Sequence, residues 1–502
     1  MCSTESLFHK HKLLTLESRL ETLRMMLRWR VARRSVGTCC AEAHYHVIQQ
    51  QNRALVGDRG GASASEPKEI AYEMRASAFK YGHGAVDELG YDAQLLQMRK
   101  VVVFTDRFVR QLDFFKRALV ALERRLGPDS IVVFDECAVE PTDQSCEAAA
   151  SFLRDAVARG ACNGVVSVGG GSVMDTLKIA NLLAVQGGSL LQWTNKPIGE
   201  GRSVPLGASL LPHLAVPTTC GTGAEQTGLA IYDLTSIGAK TGVGNAAIKP
   251  DRAVIDPTAV FTLPPAVVAA SGFDTLSHSI ESYTARPFHQ RALPLDRVRP
   301  AAQGATPYTD IGCLAALELV GLHLQDAVRG DRVALEKMVF AATLAGTAIN
   351  GAGCTAPHAL SYSISSLNKK VGWKPAAGWP TSGAIVPHGF AVSLTAPACF
   401  KLTAPTNPQR HLKAAMLLDP TNKFNTRDAT PDQAGEALRL VTVDMMQRNN
   451  MPSGLLQIGY TEKDIPNLVK GALPQRRLLD NAPLPLFADE LTELYKSSLK
   501  HF

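Results

Sequence analysis

From Val101 to Asn181 the chain alternates short β-branched runs with longer stretches of helical spacing, and this alternation limits the fold more than any other feature. "VVVFTD" (101–106), "IVVFDE" (131–136) and "GVVSVGGG" (164–171) lack the polar alternation of a half-exposed strand, so they read as strands buried on both faces. Between them, "QLDFFKRALVALERRLG" and "SCEAAASFLRDAVARGA" have helical periodicity. Elements of these lengths build βαβ units and a parallel sheet. Beyond about residue 262 strand signals nearly vanish, and stretches such as "DIGCLAALELVGLHLQDAVRG" predict helices only.

A chain of 502 residues is too long for one core. Its 45% hydrophobic and 20% charged content is that of an ordinary globular chain, and no uninterrupted apolar run reaches the roughly 18 residues that a bilayer requires. The net charge of +6 lies mostly in residues 1–34, where eight Lys/Arg face three Glu. The remainder is nearly neutral and offers no electrostatic footprint for nucleic acid. From Met26, "MLRWRVARRSVGTCC" is Arg-rich and the chain is free of acids up to Glu42, as in a mitochondrial matrix presequence, although Glu5, Glu17 and Glu21 precede it. Residues 52–68 are Gly/Ala/Ser-rich and read as a linker. Ten cysteines without CxxC spacing predict reduced thiols and disfavour zinc-finger and disulfide scaffolds.

Two glycine-rich turns carry the first chemistry. In "VGGGSVMDTLKIAN" (168–181) a strand runs through Gly170, Gly171 and Ser172 into a helix, an arrangement that offers backbone N–H groups to a phosphate. Asp175 and Lys178 on that helix read equally well as a surface pair. "AVPTTCGTGAEQT" (215–227) is a second donor-rich turn, with Thr218, Thr219 and Thr222. Asp106, at the end of the first strand, is placed to take the hydroxyls of an adenosine ribose and to repel a 2′-phosphate. Farther on, "SGFDTLSHSIESYTARP" sets Asp274 and His278 one helical turn apart on one face. A hydrogen-bonded surface pair and half of a metal site both fit that spacing. His358 in "GAGCTAPHALSYSI" and His388 in "GAIVPHGFAV" complete a carboxylate and three imidazoles, a donor set for Fe²⁺, Zn²⁺, Ni²⁺ or Co²⁺.

With these blocks the chain resembles the iron-containing (group III) alcohol dehydrogenases from about Glu69 onward. "GGGSVMDTLKIAN", "PTTCGTGAEQT", "GFDTLSHSIESYT", "HALSYSI" and "VPHG" carry the resemblance. It implies an α/β N-terminal Rossmann-like domain plus an all-α C-terminal domain, the dehydroquinate synthase-like arrangement. The segments expected are 1–68, basic targeting segment and linker; 69–261, α/β dinucleotide-binding domain; and 262–502, helical metal-binding and substrate domain. The resemblance also implies metal ligation by Asp274, His278, His358 and His388, and NAD binding by Asp106, Gly170, Gly171, Ser172, Asp175, Thr218, Thr219, Thr222 and Lys240. Catalytic parts fall to His358 and Tyr362. Tyr362 stands where many members have a histidine, and Glu140-Pro141 replaces their Asn-Pro, which weakens one expected cofactor contact.

Within the family the resemblance points to members that oxidise 4-hydroxybutyrate to succinate semialdehyde and reduce 2-oxoglutarate to 2-hydroxyglutarate through a retained nicotinamide. The alternative is an alcohol dehydrogenase that releases NADH. Partners are then small carboxylates, with no nucleic acid and no membrane insertion, and a homo-oligomer is allowed. A cation for the substrate carboxylates is sought among Arg286, Arg291, Arg297 and Arg299, Arg286 being nearest to the metal helix. A metal-dependent lyase of the dehydroquinate synthase kind, or a binding protein that has kept the fold, are the rival classes. The intact ligand set argues against the latter.

Overall fold

A six-stranded parallel sheet organises the first half of the molecule. The computed structural model describes residues 67–205, 207–294, 298–375, 379 and 383–502. The expected targeting segment, Arg297 and most of the linker lie outside the described residues. The strands are β1 (Ala78–Tyr81), β2 (Val101–Phe104), β3 (Ile131–Phe134), β4 (Gly164–Gly169), β5 (His213–Pro217) and, after a hairpin, β8 (Arg252–Ile255). Their order across the sheet is β1-β8-β5-β4-β2-β3. All of β2, β4 and β5 is buried, as expected of strands covered on both faces. Helices α1 (Leu89–Leu95) and α2 (Asp113–Leu126) contribute to the core on one face, and α3 (Asp143–Ala158) and α4 (Gly171–Gln186) to that on the other.

The chain steps from β2 outward to β3, returns across β2 to β4, and then builds toward β5. Strand order therefore reverses between β2 and β4, and the carboxyl ends of these two strands carry Asp106 and Gly170. A crevice at such a switch point is where open α/β sheets bind ligands.

One element was not legible in the sequence. β6 (Leu229–Leu234) and β7 (Ala239–Gly244) form an antiparallel hairpin, with Leu229 opposite Gly244 and Asp233 opposite Lys240.

Beyond β8 the described chain is helical, so the fold is an α/β N-terminal part with a helical C-terminal part. At the centre of the latter lies α5 (Pro265–Thr284), buried along nearly its whole length. Around it pack α6 (Pro307–Val328), α7 (Arg332–Ala352), α8 (Ala356–Val371) and α9 (His388–Ser393). By length and composition α6 would suffice to cross a bilayer, yet Leu317, Val320 and Leu324 on it are buried in the helical core.

Two close approaches join the halves. A Cβ on Gly223, in the turn after β5, would lie 2.4 Å from Cα of Gly346 on α7, and a Cβ on Gly346 would lie 2.7 Å from Cα of Gly223. In the same turn the carbonyl of Cys220 accepts a hydrogen bond from Thr275 Oγ1 on α5 at 3.0 Å. Glycine is required where backbones meet this closely.

Candidate functional site: a metal cluster beside a nucleotide groove

The N-terminus of α4 has no side-chain cap, because Gly170 occupies the N-cap position. Its first N–H groups are thus left for a ligand, and the helix dipole favours an anion there. A Cβ on Gly171 would come within 2.7 Å of Thr222 Cγ2, so glycine lets the two donor-rich turns lie edge to edge. Ser172 Oγ accepts from the Glu140 N–H at 3.3 Å, which leaves its own proton to donate. One groove is lined by Asp106, Gly170, Gly171, Ser172, Thr218, Thr219 and Thr222, and it continues to Asp274 and His388. Asp106 Oδ1 accepts from the N–H groups of Phe108 (2.9 Å) and Val109 (2.8 Å). Burial raises the proton affinity of this carboxyl, and the two N–H groups oppose that rise.

Two of the expected cofactor residues lie deeper. Asp175 and Lys178 are not a surface pair: Lys178 is 1% exposed and donates to the carbonyls of Ala224 and Leu229, each at 2.8 Å, while Asp175 accepts from Ile231 N–H at 2.9 Å. The pair therefore ties α4 to the second turn and the hairpin. Lys240, carried on β7, is buried between Glu140 and Asp233 Oδ1, the latter at 3.1 Å. Although burial alone would lower its proton affinity, these two carboxylates hold Lys240 charged. Glu140 adopts a positive φ of 58°. Where a weakened cofactor contact was expected, it makes an ion pair with Lys240.

The four expected metal ligands converge from three helices. Asp274 and His278 lie on α5, His358 on α8, and His388 is the first residue of α9. Oδ1 of Asp274 is 3.4 Å from Nε2 of His278, 3.5 Å from Nε2 of His358 and 3.7 Å from Nε2 of His388. The rings of His278 and His358 are stacked, with centroids 4.7 Å apart. Burial opposes ionisation of Asp274, but the neighbouring imidazoles outweigh it and hold the carboxyl well below its usual range. Burial also pushes His388 toward the neutral form in which an imidazole can ligate.

Asp274 Oδ1, His358 Nε2 and His278 Nδ1 are buried without a hydrogen-bond partner. Unpaired buried polar atoms are costly, and the two that face each other, Asp274 Oδ1 and His358 Nε2, 3.5 Å apart, are accounted for by a cation. The donor set of one carboxylate oxygen and three imidazole nitrogens fits a divalent metal.

Sequence reasoning missed three residues of this site. Glu281, fully buried on α5, accepts from His358 Nδ1 at 2.5 Å and from Thr355 N–H at 2.6 Å. It fixes the tautomer that leaves His358 Nε2 free to ligate. Three residues after His278, it was legible as sharing that helix face. Cys354 brings a thiol within 4.8 Å of ligand nitrogens of His278 and His358. Arg477 lines the cavity over the cluster together with Glu140, Asp175, Lys240 and Tyr362. Nothing in the sequence around it signals this.

Arg286 is a correction, since it does not line that cavity. Helix α5 ends at Thr284, the backbone N–H of Arg286 donates to the Asn481 carbonyl at 3.0 Å, and its side-chain Nε is buried without a hydrogen-bond partner. Arg291 donates to Asn481 Oδ1 and Arg299 pairs with Glu69, so both are committed to other partners.

Residues 76–257 match the iron-containing alcohol dehydrogenase family, and residues 301–369 and 378–499 match the family's C-terminal region. The chain belongs to the iron-containing alcohol dehydrogenase family and is an oxidoreductase. Among relatives, it is 40% identical over 471 residues to the mitochondrial hydroxyacid-oxoacid transhydrogenase of Mus musculus, covering 92% of this chain and 95% of that protein. The Xenopus tropicalis protein of the same name is 39% identical over 468 residues, with 92% and 96% covered. Among solved structures, a 1,3-propanediol oxidoreductase superposes with a TM-score of 0.72 at 23% identity, covering 86% of this chain and all of that one. The sulfoacetaldehyde reductase of Bifidobacterium kashiwanohense in complex with NAD+ gives 0.67 at 23% identity, with 86% and 99% covered. These two likenesses are likenesses of fold.

Proposed function

We propose that the protein is a hydroxyacid-oxoacid transhydrogenase of the mitochondrial matrix that retains NAD and one divalent metal, Fe²⁺ or Zn²⁺. The observation that carries this reading is the shared wall of groove and cavity. Gly171, Ser172, Thr222, Asp274 and His388 line both, so a nucleotide in the groove would end beside the metal ligands. The likeness to transhydrogenases over nine tenths of the chain supports the choice of substrates.

In the overall reaction 4-hydroxybutyrate gives up a hydride and a proton to become succinate semialdehyde. 2-Oxoglutarate takes up both and becomes 2-hydroxyglutarate. When bound, the metal supplies a Lewis acid for the substrate oxygen and the nicotinamide a carrier for the hydride.

The chain supplies the placement. Asp274, His278, His358 and His388 would hold the metal, and Glu281 orients His358. The uncapped end of α4, with Ser172 and Thr222, would take the pyrophosphate. Asp106 would take the adenosine ribose and disfavour a 2′-phosphate, which selects NAD over NADP. Tyr362 lies one turn beyond His358 on α8, and burial raises the proton affinity of its phenol. At neutral pH Tyr362 therefore acts as a hydrogen-bond donor to the substrate oxygen rather than as a base.

The test is to follow semialdehyde formation by purified protein in buffer without added cofactor, and to extract and identify the bound nicotinamide. Sustained turnover that needs 2-oxoglutarate, with NAD recovered at about one per chain, is expected. Turnover that requires free NAD and ignores the oxoacid would leave an alcohol dehydrogenase that releases NADH.

A further inference from the structure

Two cations line the cavity over the metal ligands, Lys240 and Arg477. They differ in what already neutralises them. Lys240 is held between Glu140 and Asp233, and Asp233 also meets Lys369 at 3.3 Å, so two carboxylates balance two ammonium groups. A further anion at Lys240 would have to displace Glu140 or Asp233.

Arg477 is in the opposite position. It sits on the one-turn helix Arg476–Leu479, half-buried against the cavity. The preceding Arg476 is committed to Asp480 and to the Leu486 carbonyl. Arg477 has no hydrogen-bond or ion-pair partner among the described residues. It shares the wall of that cavity with Tyr362, His358 and His388, where the substrate oxygen is expected. A half-buried guanidinium without an anion, facing a cavity, is a site for a carboxylate, which it grips through two parallel N–H donors.

We propose that Arg477 binds the carboxylate remote from the reacting carbon in both substrates and thereby sets their length. This rests on the transhydrogenase reading above and adds what the two substrates share. In 4-hydroxybutyrate the carbon bearing the hydroxyl is the fourth, counting the carboxylate carbon as the first. In 2-oxoglutarate the keto carbon is also the fourth when counted from the distal carboxylate. One cation at a fixed separation from the metal ligands therefore fits both molecules. A transhydrogenase needs such an arrangement, since a single site must accept the oxidised partner of one couple and the reduced partner of the other. Shorter hydroxy acids, with hydroxyl and carboxylate on adjacent carbons, cannot reach both points.

The test compares Arg477→Ala and Arg477→Lys with the unaltered protein, each checked for melting temperature, metal content and bound nicotinamide. KM for 4-hydroxybutyrate and for 2-oxoglutarate should rise together, by about tenfold to a hundredfold in Arg477→Ala, the range of a charge-assisted contact. The lysine variant should recover part of this. For the neutral diol 1,4-butanediol, KM should move several-fold less than for the acids. Binding of glutarate, followed by calorimetry, should weaken in parallel. If the unaltered protein turns over both acids and Arg477→Ala leaves both KM values and glutarate binding in place, Arg477 is not the anchor and the functional reading stands. If KM for the diol rises as much as for the acids, the residue shapes the cavity and does not bind the carboxylate. If the unaltered protein turns over neutral alcohols but neither acid, the functional reading itself falls, and this assignment with it.

Discussion

Glu281 shows how much of a site one unannounced side chain controls. Its carboxylate takes the Nδ1 proton of His358 and two donors of Thr355, so that His358 is presented in one tautomer and one orientation. In Glu281→Gln an amide N–H group would compete for a place where only acceptors are wanted. Metal affinity should fall about 10–100-fold, read by chelator competition on purified protein. Affinity equal to that of the unaltered protein would mean that the carboxylate only fills space. At this scale the sequence was legible where chemistry is local. Asp274 and His278 declare themselves by helical spacing. His358 and His388 lie far along the chain; their residue type made them candidates for the same donor set, and the resemblance to a family implied that they ligate. Arg477 was not singled out, because one of two adjacent arginines in a short helical turn looks like a solvated charge. Arg286 was chosen for its nearness in sequence to the metal helix, and it is not among the residues that line the cavity over the ligands.

Among elements, unbroken apolar runs revealed β2, β3 and β4: β2 and β4 are buried throughout, and β3, part-buried at the edge of the sheet, still carries an unmixed signal. The β6–β7 hairpin did not show itself, since β7 contains Gly242 and Gly244, residues of poor strand propensity. Its reason for existing is tertiary, as it delivers Lys240 to the cavity wall. The seat of α9 is tertiary in the same sense. A Cβ on Gly389 would lie 1.8 Å from the carbonyl oxygen of Ala270, one helical turn before Asp274. Gly389→Ala should therefore push α9 off α5 and draw His388 away from the other ligands. Metal content below one per chain is expected, with a loss of about 1–3 kcal/mol in stability from the overpacking. A full metal complement and an unchanged melting temperature would show that the two helices can part without moving the ligand.

For the molecule as a whole, stability should decline in mild acid from a source remote from the metal ligands. His213 on β5 is 3% exposed, and its Nε2 meets Ser167 Oγ at 2.8 Å. Burial, with a smaller contribution from the charge of Lys178, lowers its pKa to about 3 from an ordinary 6.5. Below 6.5 the unfolded chain binds a proton that the folded chain refuses. Stability is therefore retained above that pH and lost as the pH falls toward 3, by about 2 kcal/mol at pH 5. His213→Gln should flatten this part of the curve, measured by denaturant unfolding at pH 7 and pH 5. An undiminished slope would assign the acid sensitivity elsewhere.

Hydride transfer demands that a carbon and a nicotinamide ring meet at van der Waals distance, and it falters if that gap varies. The bond from Thr275 to Cys220 joins the turn that would hold the cofactor to the helix that carries Asp274, and the close approach of Gly223 to Gly346 joins the same turn to α7. The two sides of the reaction therefore meet along one seam of backbone contact. In mechanical terms that seam is the reference edge from which both parts are measured.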